Sequence, residues 1–183
     1  MKQYVIPEYA TSNDIKRVRG KLGLTQAEFS KFLGLSKPTV ERYESTKDKI
    51  HGPIVLLLKM IEDNYSYVEG LEFPKKEYPL RLFYMYKQHV CTIIDVSILK
   101  QEIKIKNYTN NIMFRAFGVN ENPTFLDYND FLKSRCFPET RDKLKLVLKD
   151  LDIPFYDPFL IIRKTEGRMA EDDFWIRIEE WLW

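Results

Sequence analysis

Apolar residues recur at helical spacing through the first third of the chain and at strand spacing after it. Ile15, Val18 and Leu22 share one face of a helix predicted over about residues 13–22, with Ser12 as its cap and Lys16, Arg17, Arg19 and Lys21 around the rest. Ala27, Phe29, Phe32 and Leu33 mark a second helix. Thr25 is its N-cap, and Glu28 three residues on closes a capping box. Gly34 ends it, since glycine takes the left-handed conformation that other residues resist. Leu35 is expected to be buried, Ser36 caps the next helix, and Pro38 sits in that helix's first turn, where a missing N–H costs nothing. Two short helices joined by so sharp a turn form a helix-turn-helix. Gly52 and Pro53 then open a longer helix in which Val55, Leu56, Leu57, Leu58, Met60 and Ile61 are apolar nearly all round, so that it needs cover on more than one side.

The segment from Glu72 to Pro79 breaks this pattern with two prolines and several charges, and it reads as a linker. Beyond it the period shortens. Residues 80–86, 90–96 and 102–108, the last alternating Ile103 and Ile105 with Lys104 and Lys106, predict three strands of an antiparallel meander. Helices are predicted over about 126–134, 139–151 and 158–164, and the aromatic tail from Asp173 fits a strand or a helix. The expected architecture is a mainly α N-terminal helix-turn-helix domain (1–71), a linker (72–79) and an α+β C-terminal domain with a small antiparallel sheet (80–183).

Composition narrows the class. A chain of 183 residues with 44% hydrophobic, 14% aromatic and 31% charged content has material for two packed cores. No apolar run reaches the roughly 18 residues of a membrane span, and the first ten residues lack the apolar stretch of a signal peptide, so the expected location is the cytoplasm. Charge is uneven: residues 1–50 hold ten Lys or Arg against six Asp or Glu, a net of +4, while the remainder is net −2. The basic excess coincides with the helix-turn-helix, as a footprint for phosphates would. Cys91, Cys136, His51 and His89 show no metal-ligand spacing, and reduced, partly buried thiols are expected, with no metal and no cofactor.

From Ile15 to Glu44, IKRVRGKLGLTQAEFSKFLGLSKPTVERYE resembles the Cro/CI (XRE) family of bacterial and phage DNA-binding domains. The resemblance rests on Leu24-Thr25-Gln26, on Ala27 and Phe29, on the Leu33-Gly34-Leu35-Ser36 turn, and on Val40 with the aromatic Tyr43. Ala27 would allow close approach of the two helices, and Leu35 and Val40 would lock the third helix to the core. The resemblance implies that Gln26, at a helix N-terminus, touches a phosphate and braces the recognition helix, and that Lys37, Thr39 and Arg42 make base-edge contacts. Ser36 would cap the helix, touch a phosphate, or both. Pro38 replaces the amide or small polar residue common there and would offer apolar contact. Lys16, Arg17, Arg19 and Lys21 form a solvated helix face or else touch phosphates, and Arg19 is the best phosphate candidate among them. Such domains bind inverted half-sites, so a double-stranded operator and a homodimer are expected.

The densest chemistry in the second half is Arg135-Cys136-Phe137-Pro138-Glu139-Thr140-Arg141, where Pro138 and Glu139 predict a helix start. Arg135 and Arg141 are a candidate anion or partner site, or else structural ion pairs with carboxylates such as Asp127 or Asp130. This turn, and the later Asp172 to Trp175 ending, is similar over residues 126–176 to a small region attached to some HipA-like kinase toxins. That resemblance implies an autorepressing antitoxin (HipB-like) with a HipA-like kinase partner. Kinase loops are absent, as are Ser/His/Asp and nucleotide motifs, so no enzyme is expected. The alternatives are a phage or mobile-element repressor without a toxin, and an enzyme in residues 80–183 carried to DNA by the first domain.

Overall fold

A computed structural model describes residues 4–180, and in it the chain divides into two compact units between Glu72 and Phe73. In the first unit α1 (Ser12–Lys21) is capped by Thr11 instead of Ser12: the Thr11 hydroxyl accepts from the Asp14 N–H while the Asp14 carboxylate accepts from the Thr11 N–H. The acidic residue three positions on selects the cap, and Thr11 has one where Ser12 does not. Helix α2 (Gln26–Leu33) starts from the Thr25–Glu28 box and ends at Gly34, whose φ of 67° is left-handed. Helix α3 (Lys37–Ser45) is capped by Ser36, which accepts from the Thr39 N–H.

Phe29, Ile15, Val18 and Val40 close the core of these three helices with Ile54, Val55, Leu58 and Ile61 from α4 (Pro53–Asp63). Leu35 only half enters it, and Phe32 stays 43% exposed. Ala27 is exposed as well, and the small buried residue of α2 is Ser30, whose hydroxyl returns a hydrogen bond to the Ala27 carbonyl. The long all-round apolar helix is two helices. It stops at Asp63, Asn64 leaves helical geometry, and the six-residue α5 (Tyr65–Gly70) follows. The other flank of α4, Leu56, Leu57 and Met60, is exposed.

The second unit holds an antiparallel sheet of order β3-β2-β1-β4, from β1 (Leu80–Tyr86), β2 (His89–Ser97), β3 (Glu102–Asn107) and β4 (Phe174–Glu180). The aromatic tail is thus an edge strand. One face, with Leu82, Tyr84, Ile94, Val96 and Ile176, packs on Tyr128, Phe131 and Leu132 of α6 (Phe125–Ser134), Leu148 of α7 (Leu144–Asp150) and Ile161 and Ile162 of α8 (Pro158–Thr165). Pro138 and Glu139 open no helix. They lie in turns, and α7 begins only at Leu144, because residues 139–143 (ETRDK) offer nothing apolar to bury.

The other sheet face carries Phe83, Met85 and Ile93 beside a buried Arg81–Asp95 pair, with hydrogen bonds of 2.5 and 2.7 Å. Residues 73–79, a linker by composition, belong to this face. The Phe73 ring stands 5.6 Å from that of Phe83, the Glu77 N–H donates to Asp95, and the Lys76 ammonium donates to the Glu179 carbonyl. Tyr78 donates to Glu102, and the Glu77 carboxylate pairs with Lys104. Prolines keep the segment out of any ladder without keeping its side chains off the sheet.

Candidate nucleic-acid interface

The third helix is held by one carboxylate. Val40 and Glu44 are four residues apart and so share the inward face of α3, which buries Glu44 to 5% exposure. A charge placed there needs partners, and it has three hydrogen bonds: from Arg19 Nε (2.6 Å) and Nη2 (3.1 Å), and from Gln26 Nε2 (2.7 Å). Burial opposes ionisation of Glu44, but the bonds from Arg19 and Gln26 outweigh it and hold its carboxyl below the ordinary range. Arg19 Nη1 also donates to the Leu24 carbonyl at 3.0 Å. One network therefore ties α1, the start of α2 and the end of α3.

Two of the expected DNA contacts, Arg19 and Gln26, take part in this network. Arg19 has its guanidinium committed to Glu44 and Leu24, and Gln26 is half-buried with its amide on Glu44. Both brace the recognition helix. The remaining candidates lie around the outer side of α3. Ser36, Lys37, Pro38 and Arg42 are exposed, and Thr39 is half-buried with its hydroxyl 2.8 Å from that of Ser36. Lys37 sits 3.3 Å from Glu41, one turn along, an exposed pair that a phosphate can displace. The Arg42 guanidinium lies 5.7 Å from the Tyr43 ring centre, which aims it along the surface of the helix. The first turn of α3 has no acidic residue, so its backbone N–H groups and Lys37 present positive potential together.

Glu44 is the functional residue that the sequence reading did not single out. Its signal is local: an acid one turn after a core valine faces the core and needs a cation or amide to meet it there. The arrangement can seat an exposed cationic helix against nucleic-acid phosphates while keeping its angle fixed by a buried ion pair.

The two candidate arginines of the second unit, Arg135 and Arg141, do not form an open site. Arg135 is 7% exposed and uses four of its donors internally, Nε to the Gly167 carbonyl, Nη1 and Nη2 to Asp172 at 2.6 and 3.0 Å, and Nη2 again to the Phe174 carbonyl. Its acid is Asp172, neither Asp127, which caps α6 with Thr124, nor Asp130, which lies 3.9 Å from Lys133. Hydrogen bonds from Arg135 hold Asp172 below the usual carboxylate range. Arg141 is exposed, with its guanidinium 5.5 Å from the Phe137 ring centre. Burial pushes the Cys136 thiol up to about 12 and raises Cys91 too, so neither is a ready nucleophile. His89 is exposed at the start of β2, and His51 Nδ1 lies 3.0 Å from the Glu8 carbonyl. Among the described residues no group of His, Cys, Asp and Glu could hold a metal ion, and no helix is long and apolar enough to cross a membrane.

The family model described as helix-turn-helix matches residues 15–58. No curated protein and no solved structure matches the chain. The match runs from the first core residue of α1 to Leu58 of α4, and thus takes in the turn at Gly34, the Arg19–Glu44–Gln26 network and the exposed helix α3. Residues 15–58 thus match a helix-turn-helix of the Cro/CI (XRE) type that the sequence resembles, and the match supports a DNA-binding regulator.

Proposed function

We propose that the chain is a transcriptional repressor of its own promoter, which places α3 in the major groove of an inverted-repeat operator as a homodimer in the cytoplasm. The observation that carries this reading is the outer face of α3, where Lys37, Pro38 and Arg42 are exposed at a helix start without acids while Glu44 anchors the opposite face. Arg42 reads a base edge, with geometry suited to the two acceptors of guanine, and Ser36 and Lys37 contact the backbone. Residues 1–71 are the DNA module. Residues 80–183, carrying the packed 73–79 segment, dimerise it, sense a signal or bind a partner protein, without catalysis.

Selection of fragments from a random duplex pool by the full chain tests the reading. The expected product is two inverted half-sites with centres about one helical turn apart, and absence of enrichment at moderate salt would overturn it. The antitoxin role, with a HipA-like kinase as partner, rests on the 126–176 pattern alone. Co-purification with the product of the adjacent gene decides between it and a repressor that acts without a toxin.

A further inference from the structure

Strand β4 lies at the edge of the sheet, and its outer side is built to pair. Backbone groups of an antiparallel strand alternate in direction, and the Ile176 N–H, which donates to the Glu166 carbonyl at 2.7 Å, shows that the even positions of β4 point away from β1. Ile178 therefore turns both its N–H and its C=O outward, and among the described residues neither has a backbone partner there. Its side chain is half-buried against the helical face of the sheet and lines an open groove of about 550 Å³ between α8 and β4, with Ile162, Arg163 and Glu166 on the far side. On the opposite face the two neighbours of Ile178 are exposed and of opposite charge, Arg177 and Glu179.

We propose that β4 pairs antiparallel with β4 of a second copy of this chain, about a two-fold axis at Ile178, joining two four-stranded sheets into one of eight strands. The sequence selects this register. An axis at Arg177 would set the two guanidiniums opposite one another, and an axis at Ile176 would need an N–H that Glu166 already holds. At Ile178 the two copies of that residue exchange both backbone bonds, and the pairing ends on either side where Glu166 already covers the edge at Ile176. The same register puts Arg177 opposite the partner's Glu179, twice by symmetry, and sets the two Ile178 side chains together. The other edge is guarded: β3 carries Lys104 and Lys106 two residues apart, as edges that avoid pairing do. This pairing supplies the homodimer that operator binding requires and deepens that reading, while failing independently of it.

Sedimentation equilibrium of the full chain tests it. The wild type is expected to be a dimer at micromolar concentration. Arg177→Glu turns both attractive cross-strand pairs repulsive and is expected to weaken dimerisation roughly 10- to 30-fold, as is Glu179→Arg. The double exchange, R177E with E179R, restores opposite charges in both pairs and is expected to return the wild-type dimer. Ile178→Pro removes an N–H that β1 does not use and is expected to leave a monomer with its own sheet intact by circular dichroism. A monomeric wild type, a single exchange that dimerises as the wild type does, or a double exchange no better than the singles would each overturn the proposal. Binding of the Arg177→Glu variant to a single half-site is expected to match the wild type, and loss of that binding too would place Arg177 in the DNA interface and overturn its assignment here.

Discussion

Truncation of Glu44 probes the hinge of the DNA-binding unit. The carboxylate is 5% exposed and accepts three hydrogen bonds of 2.6–3.1 Å, two of them from a guanidinium whose side chain is 24% exposed. Removal of one partner of a fully buried pair costs about 3–5 kcal/mol. Arg19 can regain water along its open side and keeps its bond to Leu24, which lowers the expectation for Glu44→Ala to about 2–3 kcal/mol. Amide hydrogen exchange in the full chain reads this unit by itself, and the most protected amides of α1 to α3 should exchange roughly 30- to 150-fold faster. Trp175 stands in β4 of the other unit, and its fluorescence should not change. The pH dependence carries the sign. Glu44 titrates below the ordinary value of 4.5 in the folded chain, so its contribution is present in full above that value and is lost as pH falls through the folded one. The gap between wild type and variant should be constant from neutral pH down to about 5 and close below that. A gap under about 0.5 kcal/mol at neutral pH, or one unchanged in acid, would refute the assignment of Glu44 as the anchor.

Arg42→Ala should weaken operator binding roughly 10- to 150-fold and relax preference at one base pair, while Lys37→Ala should weaken all sequences alike and reduce the salt slope by about one, both by fluorescence anisotropy across a salt series. Asp95→Ala leaves Arg81 charged at 5% exposure and strips the Glu77 N–H of its acceptor, so the second unit should lose about 3–5 kcal/mol, read by Trp175 fluorescence in urea; a loss under about 1 kcal/mol would contradict it. Cys91 and Cys136 should resist iodoacetamide at pH 8 in the folded chain and react in urea, by intact mass; modification within minutes under native conditions would contradict their burial.

Local signals were the legible ones. Thr25 with Glu28, Gly34, and Ser36 with Pro38 each act within four residues, and the second and third helices follow them. Three strands were readable, the third from its alternation of isoleucine and lysine and the first two as short apolar runs that the structure buries on both faces. What depends on distant partners was not readable. Arg19 and Gln26 look like free polar residues until Glu44 arrives from the next helix, and Arg135 finds its acid thirty-seven positions away at Asp172. Ala27 was assigned the close approach from the family pattern, whereas the chain buries Ser30. Composition misled at residues 73–79, because proline and charge report what cannot join a ladder and say nothing of Phe73 covering Phe83.

The pairing of β1 with β4 sets an order of events at synthesis. Leu80 has Glu180 as its ladder partner, and everything between them must emerge before the two can meet. At roughly 5–20 residues per second that interval is on the order of 5–20 s. The helical unit, whose contacts close within its first seventy or so residues, can fold during that wait. Its counterpart stands meanwhile with Phe83 and Leu82 on an unfinished sheet, exposed to neighbouring nascent chains. A regulator made this way acquires its reading head first, and the part that completes it last is also the part most open to chaperones while the chain is still short.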